Sequence, residues 1–181
     1  MSSRFIIRDN IKNKKSMRIM AIDPGTIESG FVIMDNEKNI HEKGVIDNNQ
    51  LLVMSKNRRF DILVIEMFAA YGMPVGKTSF DTILLIGRLY QIAEDRGIEP
   101  VLITRKAIKM HLCNSMRAKD KNIAQAVKDR FNPTGGGNDP WKGTQSKPGP
   151  LYGFKSHIFS ALALGITYVE NGERYAISTF V

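Results

Sequence analysis

The run Met17-Arg-Ile-Met-Ala-Ile-Asp-Pro-Gly-Thr26, answered at once by Ser29-Gly-Phe-Val-Ile-Met-Asp35, constrains this chain more than any other stretch. An apolar strand ends on a single carboxylate, Asp23. Pro24 sets the backbone for a turn, Gly25 tolerates its next position, and the chain returns as a second apolar strand. A lone acid at the end of apolar sequence is costly to bury unless something compensates it. Two explanations fit: a divalent cation, or an aspartate that caps its own turn.

The remaining elements follow from periodicity. Ile40–Ile46 reads as a third strand completing an antiparallel meander, and Asn48–Phe60 as a helix with Leu51, Leu52 and Met54 inward. Asp61–Glu66 is a fourth strand whose continuous apolar run implies burial on both faces, and it too ends on a lone acid, Glu66. A loop containing Phe68, Tyr71 and several glycines leads to a helix over Phe80–Arg96, capped by Thr78 or Ser79. Its packed side is expected to hold Ile83, Leu84, Ile86, Leu89, Tyr90 and Ile92. Pro100–Thr104 is a fifth strand. Helices follow over Arg105–Leu112, Ala118–Phe131 and, strongly apolar, Phe154–Val169. Between the last two, residues 132–153 form a long loop rich in Gly and Pro. Tyr175–Val181 reads as a closing strand or a tail.

This order implies an α/β architecture, a mixed five-stranded sheet of three antiparallel then two parallel strands, flanked by helices. Strand ends in such sheets gather on one edge, which brings Asp23 and Glu66 together. Two carboxylates suit Mg²⁺, which takes oxygen ligands and keeps several waters. On the last helix His157 and Ser160 stand three residues apart and share a face. The histidine could bind a metal, relay a proton, or serve only as a hydrogen-bonded structural residue.

At 181 residues the chain is expected to be one domain over residues 17–181, preceded by a basic arm over residues 1–16. Its net charge of +8 favours a polyanionic partner, nucleic acid before anionic membrane. A single cysteine excludes an internal disulfide and paired-cysteine zinc sites, and fits a reducing compartment. No run is long and apolar enough for a membrane span, and the N-terminus lacks a signal-peptide core, so a cytoplasmic protein without membrane attachment is expected.

From Met17 to about Tyr168 the sequence resembles the RuvC-type Holliday junction resolvases of the ribonuclease H-like superfamily, in the form carried by bacteriophages. The resemblance rests on Ile22-Asp-Pro-Gly-Thr26, Val64-Ile-Glu66, Arg105-Lys-Ala-Ile-Lys109 and Ala118-Lys-Asp-Lys121. It rests also on Lys147-Pro-Gly-Pro-Leu-Tyr-Gly153 before the His157-x-x-Ser160-Ala-Leu helix. It implies a homodimeric endonuclease that cuts four-way DNA junctions, with other branched DNA as a further candidate substrate, using Mg²⁺ or Mn²⁺, two ions by the usual scheme. Asp23 and Glu66 match metal ligands, and His157 and Ser160 match the last-helix pair of the catalytic group, His157 as a further ligand. Ser160 departs from the carboxylate found there in the cellular enzymes, leaving one negative charge fewer. Asp120 and Asp139 are the nearest acids by sequence that could compensate.

Lys106, Lys109, Lys119 and Lys121 are candidates for phosphate contact, or else a solvated helix face. Phe68 and Tyr71 could stack on bases at the junction, or fold back on the domain, and Trp141 has the same two readings. Two other functions compete. The Asp-x-Gly-Thr turn also occurs in actin-like sugar kinases and ATPases, but the additional glycine-rich phosphate motifs they need are not found. A junction-binding protein that does not cleave is the alternative that Ser160 favours.

Overall fold

Alternation along the strands decides which face each functional residue takes. The structure, a computed structural model, describes residues 16–72, 74–98 and 100–172. All but the last residue of the basic arm, and the Tyr175–Val181 segment, lie outside the described residues. Strands β1 (Arg18–Asp23), β2 (Glu28–Asp35) and β3 (Ile40–Asp47) form the antiparallel meander. β4 (Ile62–Met67) and β5 (Pro100–Thr104) add in parallel on the other side of β1, giving the order β3-β2-β1-β4-β5. The five-stranded mixed sheet is the one expected.

Each strand puts one set of alternate residues on each face. Met20, Ile22, Phe31, Ile33, Leu63 and Ile65 pack under α1 (Asn48–Asn57) and α2 (Lys77–Asp95). Ile19, Ala21, Val32, Met34, Val64, Val101 and Ile103 form the other face. This second face is covered by α3 (Arg105–Cys113), α4 (Asp120–Lys128) and the apolar α5 (Ser156–Asn171). Asp23 continues the Ile19, Ala21 series and Glu66 follows Val64, so both acids belong to the α5 face.

Helix α2 departs from expectation at its start. It begins at Lys77 with Gly76 as N-cap and no side-chain cap, so Thr78 and Ser79 lie inside the helix. The Lys77–Asp81 ion pair, 2.7 Å and one turn apart, supports that extra turn. The packed stripe is Leu85, Ile86, Leu89, Ile92 and Ala93, while Phe80 and Leu84 are exposed. Helix α5 starts at Ser156, two residues later than expected, because Phe154 turns inward and packs edge-on against Phe159.

Helix α5 sits close on the sheet because glycines let it. A Cβ on Gly165 would come 2.6 Å from the Met34 sulfur. One on Gly30 would come 2.4 Å from the carbonyl oxygen of His157, a backbone atom that cannot swing aside. At the far end of α5, Glu170 receives Lys38, His111 and Arg130. Burial works against its charge, but hydrogen bonds from those three hold its pKa down at about 2. The helix is thus pinned at both ends.

Two glycine substitutions separate contact from flexibility. Gly30→Ala should destabilise the protein by about 1–3 kcal/mol, as overpacking against backbone does. Gly87→Ala, where a Cβ meets nothing within 4 Å inside helix α2, should stabilise by up to about 1 kcal/mol. Thermal denaturation of both variants reads the difference. Equal effects would mean that α5 does not rest on Gly30.

Candidate active site

The parallel strands deliver their acids to one edge. Ile22 pairs with Ile65, so the next step of the register sets Asp23 beside Glu66. Gly25 is required in the turn after Asp23 for space, since a Cβ there would lie 2.2 Å from the Glu28 carbonyl oxygen. The turn is pinned from below. Ser29 accepts from the Gly25 amide and donates to Asn48, whose side-chain amide donates to the Gly25 carbonyl.

Across the same edge lies the start of α5. Gly30 is the β2 partner of Asp23, and its missing side chain admits the His157 backbone. His157 Nδ1 then reaches Asp23 Oδ2 at 3.1 Å. One turn on, Ser160 faces not an acid but Arg105, whose Nη1 donates to the Ser160 hydroxyl at 3.3 Å.

Arg105 is the residue that sequence reading missed. It is the first residue of α3, directly after β5, and follows Ile103 in the alternation that carries residues to the α5 face. Its Nη1 lies 3.4 Å from Glu66 Oε2, and its Nη2 donates to Asp120 Oδ1 at 2.7 Å. A positive charge in the first turn of a helix opposes the helix dipole, and α3 has no acid in that turn to offset it. The carboxylates opposite supply the compensation. The only sequence signal was its place in the Arg105–Lys109 stretch.

Burial dominates the electrostatics. It pushes the Asp23 carboxyl above its ordinary value, although the His157 hydrogen bond and the charges of His157 and Arg105 pull the other way. Glu66 is raised to about 7 by burial, with Asp23 adding to the rise and Arg105 opposing it. Arg105 in turn is held more firmly protonated, because Glu66, Asp120 and Asp23 outweigh its own burial. Two acids that resist ionisation, with Arg105 in contact with Glu66 and acting on Asp23 only at a distance, form a site short of positive charge.

The other expected residues divide around this centre. Lys106 and Lys109 line a cleft of about 330 Å³ together with Tyr71, Arg105 and Met116. Lys121 lines a second cleft, about 250 Å³, with Arg105, Asp120, Phe159 and Ser160. Arg105 is the wall between them. Lys119 is exposed at the head of α4. Tyr71 is exposed and takes a φ of 47°, a conformation that costs a bulky residue about 1–3 kcal/mol. Phe68 is half-buried against the α1/α2 core. Trp141 folds inward, donating to the carbonyls of Lys128 and Phe131. Asp139 pairs with Lys128, whereas Asp120 is tied to the site through Arg105.

Among the described residues no group of three or more His, Cys, Asp and Glu side chains converges as a ready-made metal cage. The donor set nevertheless fits a hard divalent cation, because such an ion needs only one or two carboxylates and completes its shell with water. Asp23 and Glu66 offer those oxygens, and burial leaves both wanting a cation.

The raised Glu66 pKa has a measurable consequence in metal-free protein. A carboxyl whose folded pKa exceeds its unfolded value contributes stability at low pH and loses it as pH rises through the folded value. From an ordinary value of 4.5 to about 7, this amounts to about 3 kcal/mol. The melting temperature of Glu66→Gln should therefore gain on that of the parent as pH rises from 5 to 8. A constant difference between the two proteins across that range would show that Glu66 carries no such burden.

No protein-family model matches this sequence, and no curated protein matches it either. Solved structures do match. Thermus thermophilus RuvC in complex with a Holliday junction substrate superposes with a TM-score of 0.63, at 14% identity over 87% of this chain and 96% of that one. Fowlpox virus resolvase, in complex with Holliday junction DNA, gives 0.53 at 11% identity over 84% and 98%. The yeast mitochondrial Holliday junction resolvase gives 0.55 at 12% identity over 84% and 78%. The chain therefore has the ribonuclease H-like fold of the RuvC-type resolvases.

Proposed function

We propose that this protein is a divalent-metal-dependent endonuclease that cuts four-way DNA junctions by phosphodiester hydrolysis. The observation that carries the reading is the meeting of Asp23, Glu66, His157 and Arg105 at one sheet edge, in a fold shared with junction resolvases. Asp23 and Glu66 would hold Mg²⁺ or Mn²⁺, with His157 beside them. The bound cation supplies Lewis-acid polarisation of a phosphoryl oxygen and a water acidified for attack.

The protein's own groups have separable tasks. Asp23, ionised on the cation, would accept a hydrogen bond from His157 Nδ1–H, which leaves Nε2 as the ring's basic nitrogen, free to take a proton from attacking water. Water adds to phosphorus, the bond to the 3′ oxygen breaks, and that oxygen leaves as a hydroxyl after taking a proton from solvent. Lys106, Lys109, Lys119 and Lys121 hold flanking phosphates, and Tyr71 offers an exposed ring to an unstacked base. Phe68, half-buried, keeps a smaller part of that role. A four-way junction has two-fold symmetry, so symmetric cutting calls for two copies of this single site, a homodimer.

A second reading, junction binding without cleavage, is favoured by the hydroxyl at Ser160. Metal-dependent cutting of a synthetic four-way junction separates the two. Asp23→Asn and Glu66→Gln should each lower the single-turnover rate at least about a hundredfold while leaving junction affinity equal or tighter, since a repulsive carboxylate is gone. Losses below about tenfold would remove both residues from the ligand set.

The lysines make a different prediction. Lys109→Ala and Lys121→Ala should weaken binding to all junction sequences alike, and each should flatten the salt dependence by about one unit of slope. Sequence-selective loss with an unchanged slope would reject phosphate contact.

A further inference from the structure

We infer that Arg105 takes the place of a second metal ion, so that the site works with one divalent cation and one built-in guanidinium. The inference rests on the nuclease reading and deepens it. Arg105 occupies the quadrant between Glu66, Ser160 and Asp120, with Nη1 within 3.4 Å of Glu66 and 3.3 Å of Ser160. A second cation would have to enter that same space, and the group facing it on α5 is a neutral hydroxyl rather than a carboxylate.

Charge points the same way. Asp23, Glu66 and Asp120 carry three negative charges when ionised and Arg105 returns one. With His157 neutral, as its role as a base requires, the balance of two is what a single divalent cation neutralises. The guanidinium is also firmly placed. Its Asp120 contact of 2.7 Å holds one edge, Ser160 accepts from the other, and the backbone of residue 105 is fixed between β5 and α3. A planar fork of donors so held suits the charge that gathers on a phosphoryl group and its leaving oxygen during hydrolysis. Ser160 then has a function as it stands: it orients Arg105 without neutralising it. An aspartate there would pair with the guanidinium and draw it away from the phosphate.

Mn²⁺ counting by electron paramagnetic resonance on the DNA-free chain tests this independently of catalysis. The parent should saturate at one Mn²⁺ per chain, a measurement that needs no variant to fold. Ser160→Asp should stay at one, its new carboxylate taken up by Arg105. Arg105→Ala/Ser160→Asp should reach two. On a four-way junction Arg105→Ala should cut roughly a hundredfold more slowly, although it binds Mn²⁺ at least as tightly, because a repelling charge has gone. The assignment is overturned if the parent binds two ions or none, if the double variant stops at one, or if Arg105→Ala cuts as fast as the parent or faster. A parent that leaves junctions uncut would reject the nuclease reading, while the ion count would still decide on Arg105.

Discussion

Everything at the candidate site depends on one backbone approach, that of His157 onto Gly30. β2 has a glycine where it pairs with Asp23, and only there can the first turn of α5 descend to the sheet. A side chain at position 30 would lift the helix and carry His157 away from Asp23. The glycine thus has no conformational duty; it supplies a gap. Gly165, deeper in α5, repeats the device against Met34, and the Glu170 cluster fixes the far end. The helix is set against the sheet along its length, and a carboxylate–imidazole pair results from that placement.

Alternation and burial then create an electrostatic demand that the fold alone does not meet. Asp23 and Glu66 stand on a sheet face otherwise built from Ile, Val, Ala and Met. Burial lifts both acids above their usual range, and their mutual repulsion adds to the rise at Glu66. Arg105 answers part of this demand at the cost of an unfavourable position on the α3 dipole. Such arrangements gain from a bound cation, and the unfilled part of the demand is what gives a divalent ion its purchase.

The strands and their terminal acids were legible because burial writes itself into sequence as apolar runs, and a carboxylate at the end of such a run stands out. His157 and Ser160 were legible as a pair because helical spacing puts them on one face. Arg105 was not, since a cation at a strand–helix junction carries no signal until the register of β4 with β5 brings Glu66 alongside. Asp120 stands out in sequence only as a nearby acid, and its tie to the site, through the arginine, depends on the packing of α3 against α4. The start of α2 differs from the sequence pattern for a local reason: Thr78 and Ser79 look like caps, yet Gly76 already has the extended backbone a cap requires. Leu84 belongs to the packed side by the helical pattern of the sequence, but it is exposed, since α2 has more apolar residues than its buried stripe takes.

The long segment over residues 132–153 belongs to the same logic of placement. It contains almost no regular structure, yet its backbone is paired internally: Gly135 with Pro140, Gly136 with Lys147, Gly149 with Lys142, and Leu151 with Trp141. Three of its glycines sit where chain crosses chain, a Cβ on Gly149 falling 2.3 Å from the Trp141 carbonyl oxygen. Trp141 anchors the crossing to the end of α4, and Leu151, fully buried, anchors it to the core. Lys43 reaches from β3 to the Tyr152 carbonyl and lies over the Phe154 ring, at 4.1 Å from its centre. A segment tied in this way acts as a strut. It fixes where the chain enters α5 at Ser156, and His157 is the next residue. The glycines and prolines that make the stretch look like a loose linker are the residues that let it pack tightly enough to set the histidine.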